Sequence, residues 1–156
     1  MIFKNNEWHS LPLDSRIWCF SSDRPWTKDE ELYLQKSLNE ICSNWKAHGS
    51  PIKAGFKTFE NRLFALCADE SSKEASGCSI DSIMHHLQKV SRKLSLNFFN
   101  RMHIYIREND TIEWEKVSLK KAKSINTGEF LNTVASSKLD WTPVSKIKGS
   151  WICPST

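Results

Sequence analysis

Apolar residues recur every three or four positions in two parts of the chain, which predicts two amphipathic helices. The first apolar stripe consists of Leu34, Leu38, Ile41, Cys42 and Trp45. Thr27 is followed three residues later by Glu30, a capping-box pattern that predicts the start of this helix. Its predicted end is the segment 47–51, where Gly49 suits a left-handed cap and Pro51 cannot continue a helix.

The second stripe predicts a helix over about residues 79–94, with Ser79 as its N-cap. This stripe consists of Ile80, Ile83, Met84, Leu87, Val90 and Leu94. His85 and His86 lie in the middle of the same helix, off the apolar stripe, so we expect both imidazoles to be solvated.

Strand patterns surround the two helices. Residues 16–22 are rich in aromatic and apolar side chains, and residues 53–59 and 62–68 read as a hairpin with Glu60 and Asn61 at its turn. Because residues 63–68 are apolar at every position, this strand should be central in a sheet that is covered on both faces.

The C-terminal part is less regular. Residues 102–107 alternate as a strand and residues 112–117 return, after which Ser118 caps a short basic helix running to about Ile125. Beyond Gly128 the chain is only weakly patterned, so we expect an irregular tail.

The order of elements is strand, helix, strand, strand, helix, strand, followed by an extra strand and a short helix. This order predicts an α+β fold of the ferredoxin-like split β-α-β type, with two helices on one face of an antiparallel sheet. The 156 residues are expected to form one domain, with a core at about 14–118 and a C-terminal extension at 119–156.

Composition limits the cellular setting. The five cysteines are an odd number and three lie in apolar stretches, which favours reduced thiols over a disulfide framework. The first ten residues lack the apolar segment of a signal peptide, and the longest apolar run, residues 63–68, is far too short to span a bilayer. We therefore expect a cytoplasmic protein without a membrane partner.

Charge is distributed unevenly along the chain. Residues 79–156 carry 12 lysines and arginines against seven acidic residues, whereas residues 1–78 carry 10 against 11. Lys146 and Lys148 alternate with Trp141 and Trp151, and basic residues interleaved with aromatics suit nucleic acid, since they can bind phosphates and stack on bases. The alternative is a solvated face whose tryptophans anchor the tail to the core.

A split β-α-β order would bring the polar residues of two loops and one strand start to the same edge of the sheet. These candidate site residues are Arg16, His48, Gly49, Asp69, Glu70, Gly77, Cys78, Ser79 and Asp81. This edge is the predicted location of a functional site.

Cys78 has the greatest chemical potential in this set, because a thiol at a helix N-terminus gains thiolate character. With His48 as base and Asp69 or Glu70 to orient it, the parts of a cysteine nucleophile would be present. The alternative is that Cys78 is a small residue that fills the start of the helix.

Two other kinds of site can be considered at the same loop. Backbone N–H groups of residues 77–79 could bind an anion, but Asp81 in the expected first turn would compete for the same positive potential. No tight metal-ligand spacing is present, so we predict neither a metal nor a cofactor.

At residues 45–49, 69–71, 77–81 and Trp151, the chain resembles a family of short uncharacterised Bacteroidota proteins that are often labelled "ABC transporter ATPase". The resemblance extends over most of the chain, and its Gly-Cys-Ser-Ile-Asp segment is fairly specific. No catalytic residues come with it. The label itself conflicts with the sequence, because five residues rather than four separate Gly49 from Gly55, and Phe56 replaces the lysine that a phosphate-binding loop requires.

The sequence therefore favours a cytoplasmic binding or regulatory module without catalytic activity, whose ligand is an unidentified small molecule or protein. A cysteine-dependent enzyme or redox-sensing thiol protein that uses Cys78 and His48 is the first alternative. A nucleic-acid-binding module that uses the basic C-terminal half is the second.

Overall fold

A computed structural model of the protein describes residues 6–71 and 74–154. The elements in chain order are β1 Arg16–Ser21, α1 Lys28–Ser43, β2 Lys46–Ala47, β3 Ser50–Pro51, β4 Ala54–Phe59, β5 Leu63–Ala68, α2 Gly77–Leu94, β6 His103–Arg107, β7 Glu115–Ser118, α3 Leu119–Ala122, β8 Glu129–Leu131 and β9 Val144–Lys146. Residues 1–5, half of the stretch predicted to lack a signal peptide, lie outside the described residues. Within the described part, no helix combines the length and the apolar character needed to cross a bilayer.

The predicted start of α1 is confirmed, and its predicted end is wrong. The Thr27 hydroxyl accepts a hydrogen bond from the Glu30 backbone N–H, and the Glu30 carboxylate accepts one from the Thr27 N–H. The helix ends at Ser43, before the predicted stop. His48 and Gly49 instead form the turn of the small β2–β3 hairpin, where both have positive φ, 52° and 78°. The left-handed backbone of Gly49 thus serves a hairpin turn and not a helix cap.

The start of α2 also differs from the prediction. The helix begins at Gly77, and its N-cap is Ser76, whose hydroxyl accepts a hydrogen bond from the Ser79 N–H at 3.1 Å. Ser79 is therefore not the cap. Asp81 lies beyond the first turn, which contains no acidic residue, so the expected competition between Asp81 and an anion at the helix start is wrong.

Three strands form an antiparallel sheet in the order β1-β5-β4, and the predicted central position of β5 is confirmed. Both α1 and α2 pack on one face of this sheet, where Leu34 and Leu87 from the helices meet Phe64 and Leu66 from β5. Burial of these large side chains is the main stabilising contribution to this helical layer.

A second sheet, in the order β7-β6-β8-β9, covers the opposite face of the first. Tyr105 and Leu131 of the second sheet and Trp114 of the loop before β7 pack with Leu63 and Cys67 of β5. Because both faces of β5 are covered, all six of its residues are buried, and this explains why its sequence lacks alternation.

The α+β class holds, but the fourth strand and the tail differ from the prediction. β6 pairs with β7 and β8, so it does not extend the first sheet. The free edge of β1 is instead occupied by segment 136–139, in which the Lys138 N–H donates to the Ser15 carbonyl and the Leu139 N–H to the Leu13 carbonyl, both at 2.8 Å. The tail was predicted to be irregular, yet it supplies β8 and β9 as well as this edge segment.

Candidate functional site

The structure brings three of the predicted site residues, Arg16, Asp69 and Glu70, to the end of the first sheet where β1 begins and β5 ends. Arg16 and Glu70 form an ion pair with 4.0 Å between Nη1 and Oε1, and the Arg16 guanidinium lies 4.6 Å from the ring centre of Trp18. The Glu70 carboxylate also accepts a hydrogen bond from the Ala75 N–H at 2.7 Å. Glu70 therefore connects the loop before α2 to β1.

Asp69 organises the same loop. Its carboxylate accepts a hydrogen bond from the Ser71 N–H at 2.9 Å, and its own N–H donates to the Lys53 carbonyl. Hydrogen bonds from the side chain and backbone of Ser71 lower the pKa of Asp69. A carboxylate stabilised in its ionised form within a turn is suited to structure more than to proton transfer.

The predicted cysteine nucleophile is not assembled. Cys78 is exposed in the first turn of α2, and His48 is exposed at the tip of the β2–β3 hairpin. Among the described residues, neither side chain forms a hydrogen bond or an ion pair with the other, or with Asp69 or Glu70. A Cβ placed on Gly77 would meet no atom within 4 Å, so Gly77 does not line a closely packed anion cradle.

Metal binding has no support in the geometry. Within residues 6–71 and 74–154, no group of three or more histidine, cysteine, aspartate or glutamate residues has the proximity to hold a metal ion.

A cleft of about 280 Å³ lies next to this edge, between the C-terminal end of α1 and the N-terminal half of α2. Its lining consists of Glu40, Ile41, Asn44, Trp45, Lys46, Ser79, Ser82, Ile83 and His86. Of the predicted site residues, only Ser79 lines the cleft. Four polar lining residues were missed because the helical pattern assigns their positions to solvent: Glu40, Lys46, Ser82 and His86. Of these, His86 is partly buried in the structure.

Three ionisable side chains of this cleft have no partner within the described part of the chain. They are the Glu40 carboxylate, the Lys46 ammonium and the His86 imidazole. By contrast, the Ser79 hydroxyl already donates to the Ser76 carbonyl at 2.8 Å. Opposite charges therefore line one small concavity without neutralising each other.

The inner wall of the cleft is apolar and contains an unsatisfied donor. Trp45 is only 4% exposed, and its indole N–H is buried with no acceptor among the described residues. Trp45 and Ile83 also line a narrow apolar slot beneath α2. The slot is completed by Trp18, Phe20, Leu66, Ile80 and Met84. With about 10 Å³ of free space it holds at most one water molecule.

The basic C-terminal residues are arranged differently from the nucleic-acid prediction. Lys146 and Lys148 line a groove of about 300 Å³ that neither tryptophan lines. Trp141 is buried and donates its indole N–H to the Asn132 carbonyl at 2.9 Å, so its ring would have to leave the core to stack on a base. Trp151 is 38% exposed and donates to the Asn132 side-chain oxygen. Both tryptophans anchor the tail.

No protein-family model, curated protein or solved structure matches this chain. The resemblance to the Bacteroidota family therefore stays a prediction, and function has to be inferred from the cleft itself.

Proposed function

We propose that this protein is a cytoplasmic binding or regulatory domain without catalytic activity, and that its ligand is a small polar molecule in the cleft between α1 and α2. The observation that carries the proposal is the set of ionisable side chains without a partner in the described residues, Glu40, Lys46 and His86, around one concavity. Binding sites typically combine an apolar wall with a few convergent polar groups, and this cleft has both.

The size of the cleft favours a small molecule over a macromolecule. Pockets for small ligands span roughly 300–1,000 Å³, and the volume of about 280 Å³ lies just below that range, which favours a ligand of few atoms. The site adjoins the edge predicted from the sequence and shares Ser79 with it, so the proposal moves the predicted site toward α1.

We propose that the domain is not catalytic because its candidate nucleophile, Cys78, and its candidate base, His48, are not hydrogen-bonded to each other. A cysteine nucleophile requires a base within hydrogen-bond reach, and no hydrogen bond joins His48 to Cys78 in the described chain. The polar cleft residues also include no nucleophile hydrogen-bonded to a base.

We further propose a ferredoxin-like origin for the helical layer and the first sheet. The order β1-β5-β4 with α1 and α2 on one face supports this, since it is the order of the first three strands of a split β-α-β unit. In this proposal, segment 136–139 occupies the edge at which the fourth strand would pair.

The test compares two tryptophan substitutions on α2. Ser82→Trp fills the cleft, whereas Gln88→Trp adds the same side chain at an exposed position outside it. Each purified protein is incubated with cell extract and re-isolated, and the bound small molecules are identified by mass spectrometry. We expect a molecule that wild type and Gln88→Trp retain and Ser82→Trp loses.

Equal retention by Ser82→Trp would show that the cleft is not the binding site. Turnover of the retained molecule, abolished by Cys78→Ser or His48→Ala, would overturn the non-catalytic part of the proposal.

A further inference from the structure

We infer that the cleft is built for a small zwitterion with an apolar side group, such as a free aliphatic or aromatic α-amino acid. This inference rests on the proposed function, because it specifies the chemistry of the ligand for the same cleft. It follows from three features: hydrogen-bond acceptors on the α1 wall, donors on the α2 wall and an apolar surface between them.

The α1 wall attracts a cation. Glu40 provides a carboxylate, and the side-chain N–H of Asn44 already donates to the Glu40 backbone carbonyl at 2.9 Å. The side-chain oxygen of Asn44 has no donor among the described residues, so it can accept a hydrogen bond from the ligand. The last turn of α1 contains no basic residue, so no cation within the helix offsets its negative end.

The α2 wall attracts an anion. Ser82 provides a hydroxyl and His86 an imidazole. The ammonium of the cleft comes from Lys46 of β2, a strand that follows the C-terminal end of α1 and contacts α2. The first turn of α2 contains no acidic residue, so its positive end is not neutralised by the helix itself. Ser79 is the cleft residue that lies within this first turn.

The apolar surface lies between these two walls. Ile41, Trp45 and Ile83 form it, and the slot beneath α2 begins at the last two of these residues. On the slot side, Ile83 and Met84 are only partly buried. The buried indole N–H without an acceptor in the described residues belongs to Trp45, which lines both the cleft and the slot.

Isothermal titration calorimetry at pH 7 with three probes of similar size tests this inference. L-Leucine carries both charges, 4-methylpentanoate lacks the ammonium and 3-methylbutylamine lacks the carboxylate. We expect L-leucine to bind at least about tenfold more tightly than either single-charge probe, because each of them leaves one wall unpaired. L-Phenylalanine extends the test to an aromatic side group.

Two substitutions assign the walls. Glu40→Gln should weaken the binding of L-leucine about tenfold and leave that of 4-methylpentanoate unchanged. Lys46→Gln should weaken the binding of L-leucine and of 4-methylpentanoate and leave that of 3-methylbutylamine unchanged. Glu113→Gln and Lys36→Gln remove the same charges from exposed positions outside the cleft, so both should bind L-leucine as wild type does.

The outcomes separate this inference from the proposed function. Equal binding of L-leucine and 4-methylpentanoate would overturn the zwitterion, as would failure of both amino acids to bind at millimolar concentration. If Ser82→Trp nevertheless loses a retained molecule of another class, the cleft remains the site and only its assigned chemistry is wrong. Absence of any Ser82-dependent molecule together with absence of amino-acid binding would overturn both.

Discussion

The two faces of the first sheet differ in the hydrogen bonding of four buried tryptophans. On the face that packs against the second sheet, the indole N–H groups of Trp114 and Trp141 donate to a carboxylate and a backbone carbonyl. On the face beneath the helices, the indole N–H groups of Trp26 and Trp45 are buried without an acceptor in the described chain. The two tryptophans of the strand-covered face are therefore hydrogen-bonded, and the two of the helical face are not.

The helical layer is also closed at one end and open at the other. At the closed end, the Arg24 guanidinium binds both oxygens of Glu30 at 2.9 and 2.8 Å and donates to the Leu94 carbonyl at the end of α2. At the other end, the cleft separates α1 from α2. The helix pair is therefore held together at one end and separated by a cleft at the other, which is the end where we propose that the ligand binds.

The largest effect should come from breaking the satisfied face. Trp141→Phe removes a donor and leaves the Asn132 carbonyl buried without its partner, so we expect a loss of about 2–3 kcal/mol in the free energy of unfolding. Trp45→Phe removes the same ring atoms but no hydrogen bond, and it should cost less than about 1 kcal/mol. Urea unfolding monitored by circular dichroism measures both, and equal losses would contradict the difference between the two faces.

The closed end of the helical layer should weaken in acid. The hydrogen bond from Arg24 lowers the pKa of Glu30 from 4.5 to about 2. The ionised carboxylate therefore stabilises the fold fully above pH 4.5, and this contribution is lost as the pH falls toward 2. Because the Arg24 side chain is 42% exposed, solvent screens the pair. We expect Glu30→Gln to cost about 1–2 kcal/mol at pH 7.

Measurement of unfolding at several pH values checks this prediction. The difference between wild type and Glu30→Gln should shrink as the pH falls below 4.5 and be small near pH 2. The difference for Glu113→Gln, at an exposed residue outside the helical layer, should not change in this way. A Glu30→Gln cost that persists unchanged at pH 2 would mean that the carboxylate charge is not its source.

The helical layer was the more predictable half, because its signals are local. Thr27 and Glu30 define the start of α1 through contacts three residues apart, and the six-residue apolar run of β5 reports burial on both faces. β8 and β9 have only three residues each, too few to establish a period of two. The pairing of segment 136–139 with β1 joins residues more than 100 positions apart, and no local pattern encodes it.

The cleft was unpredictable for a different reason. Glu40 and His86 are polar residues that lie off the apolar stripes of their helices, and each has the pattern expected of a solvated position. Their significance depends on the gap that separates α1 from α2, which is a property of the packing and not of either sequence segment. At the predicted edge, Arg16 and Glu70 form an ion pair that connects the loop before α2 to β1, and the functional role of this edge stays a prediction.

A smaller effect is expected at the β2–β3 hairpin, beside the open end. His48 has a positive φ of 52°, which is unfavourable for a residue with a Cβ, and Asn-Gly is the preferred pair for a turn with two such residues. His48→Asn should therefore raise the free energy of unfolding by about 0.5 kcal/mol, while Gly49→Ala, at φ 78°, should lower it by about 1 kcal/mol.

Chemical denaturation of both variants measures these changes. The ligand retained by wild type should also be retained by His48→Asn, since His48 does not line the cleft. Destabilisation by His48→Asn would mean that the His48 imidazole makes a stabilising contact. Its predicted role as a base beside Cys78 would then have to be considered again.

The smallest effect on stability, but a clear chemical one, should come from alkylation of the exposed thiol. Cys78 is exposed, whereas burial raises the pKa of Cys19 to about 12 and of Cys67 to about 11 and also raises that of Cys42. Iodoacetamide near pH 7.5 should therefore modify Cys78 well before these three, because the thiolate is the reactive form and must be accessible. Peptide mass spectrometry over time gives the order of modification. We expect the alkylated protein to unfold at the same urea concentration as the untreated protein and to retain the same small molecule, because Cys78 does not line the cleft.

The pH dependence of the alkylation rate of Cys78 tests the enzymatic alternative. A midpoint well below the free-cysteine value of about 8.5 that rises in His48→Ala would indicate an activated thiolate. A midpoint that His48→Ala does not move would leave Cys78 as a structural residue at the start of α2 and the cleft as the functional feature of this helical layer.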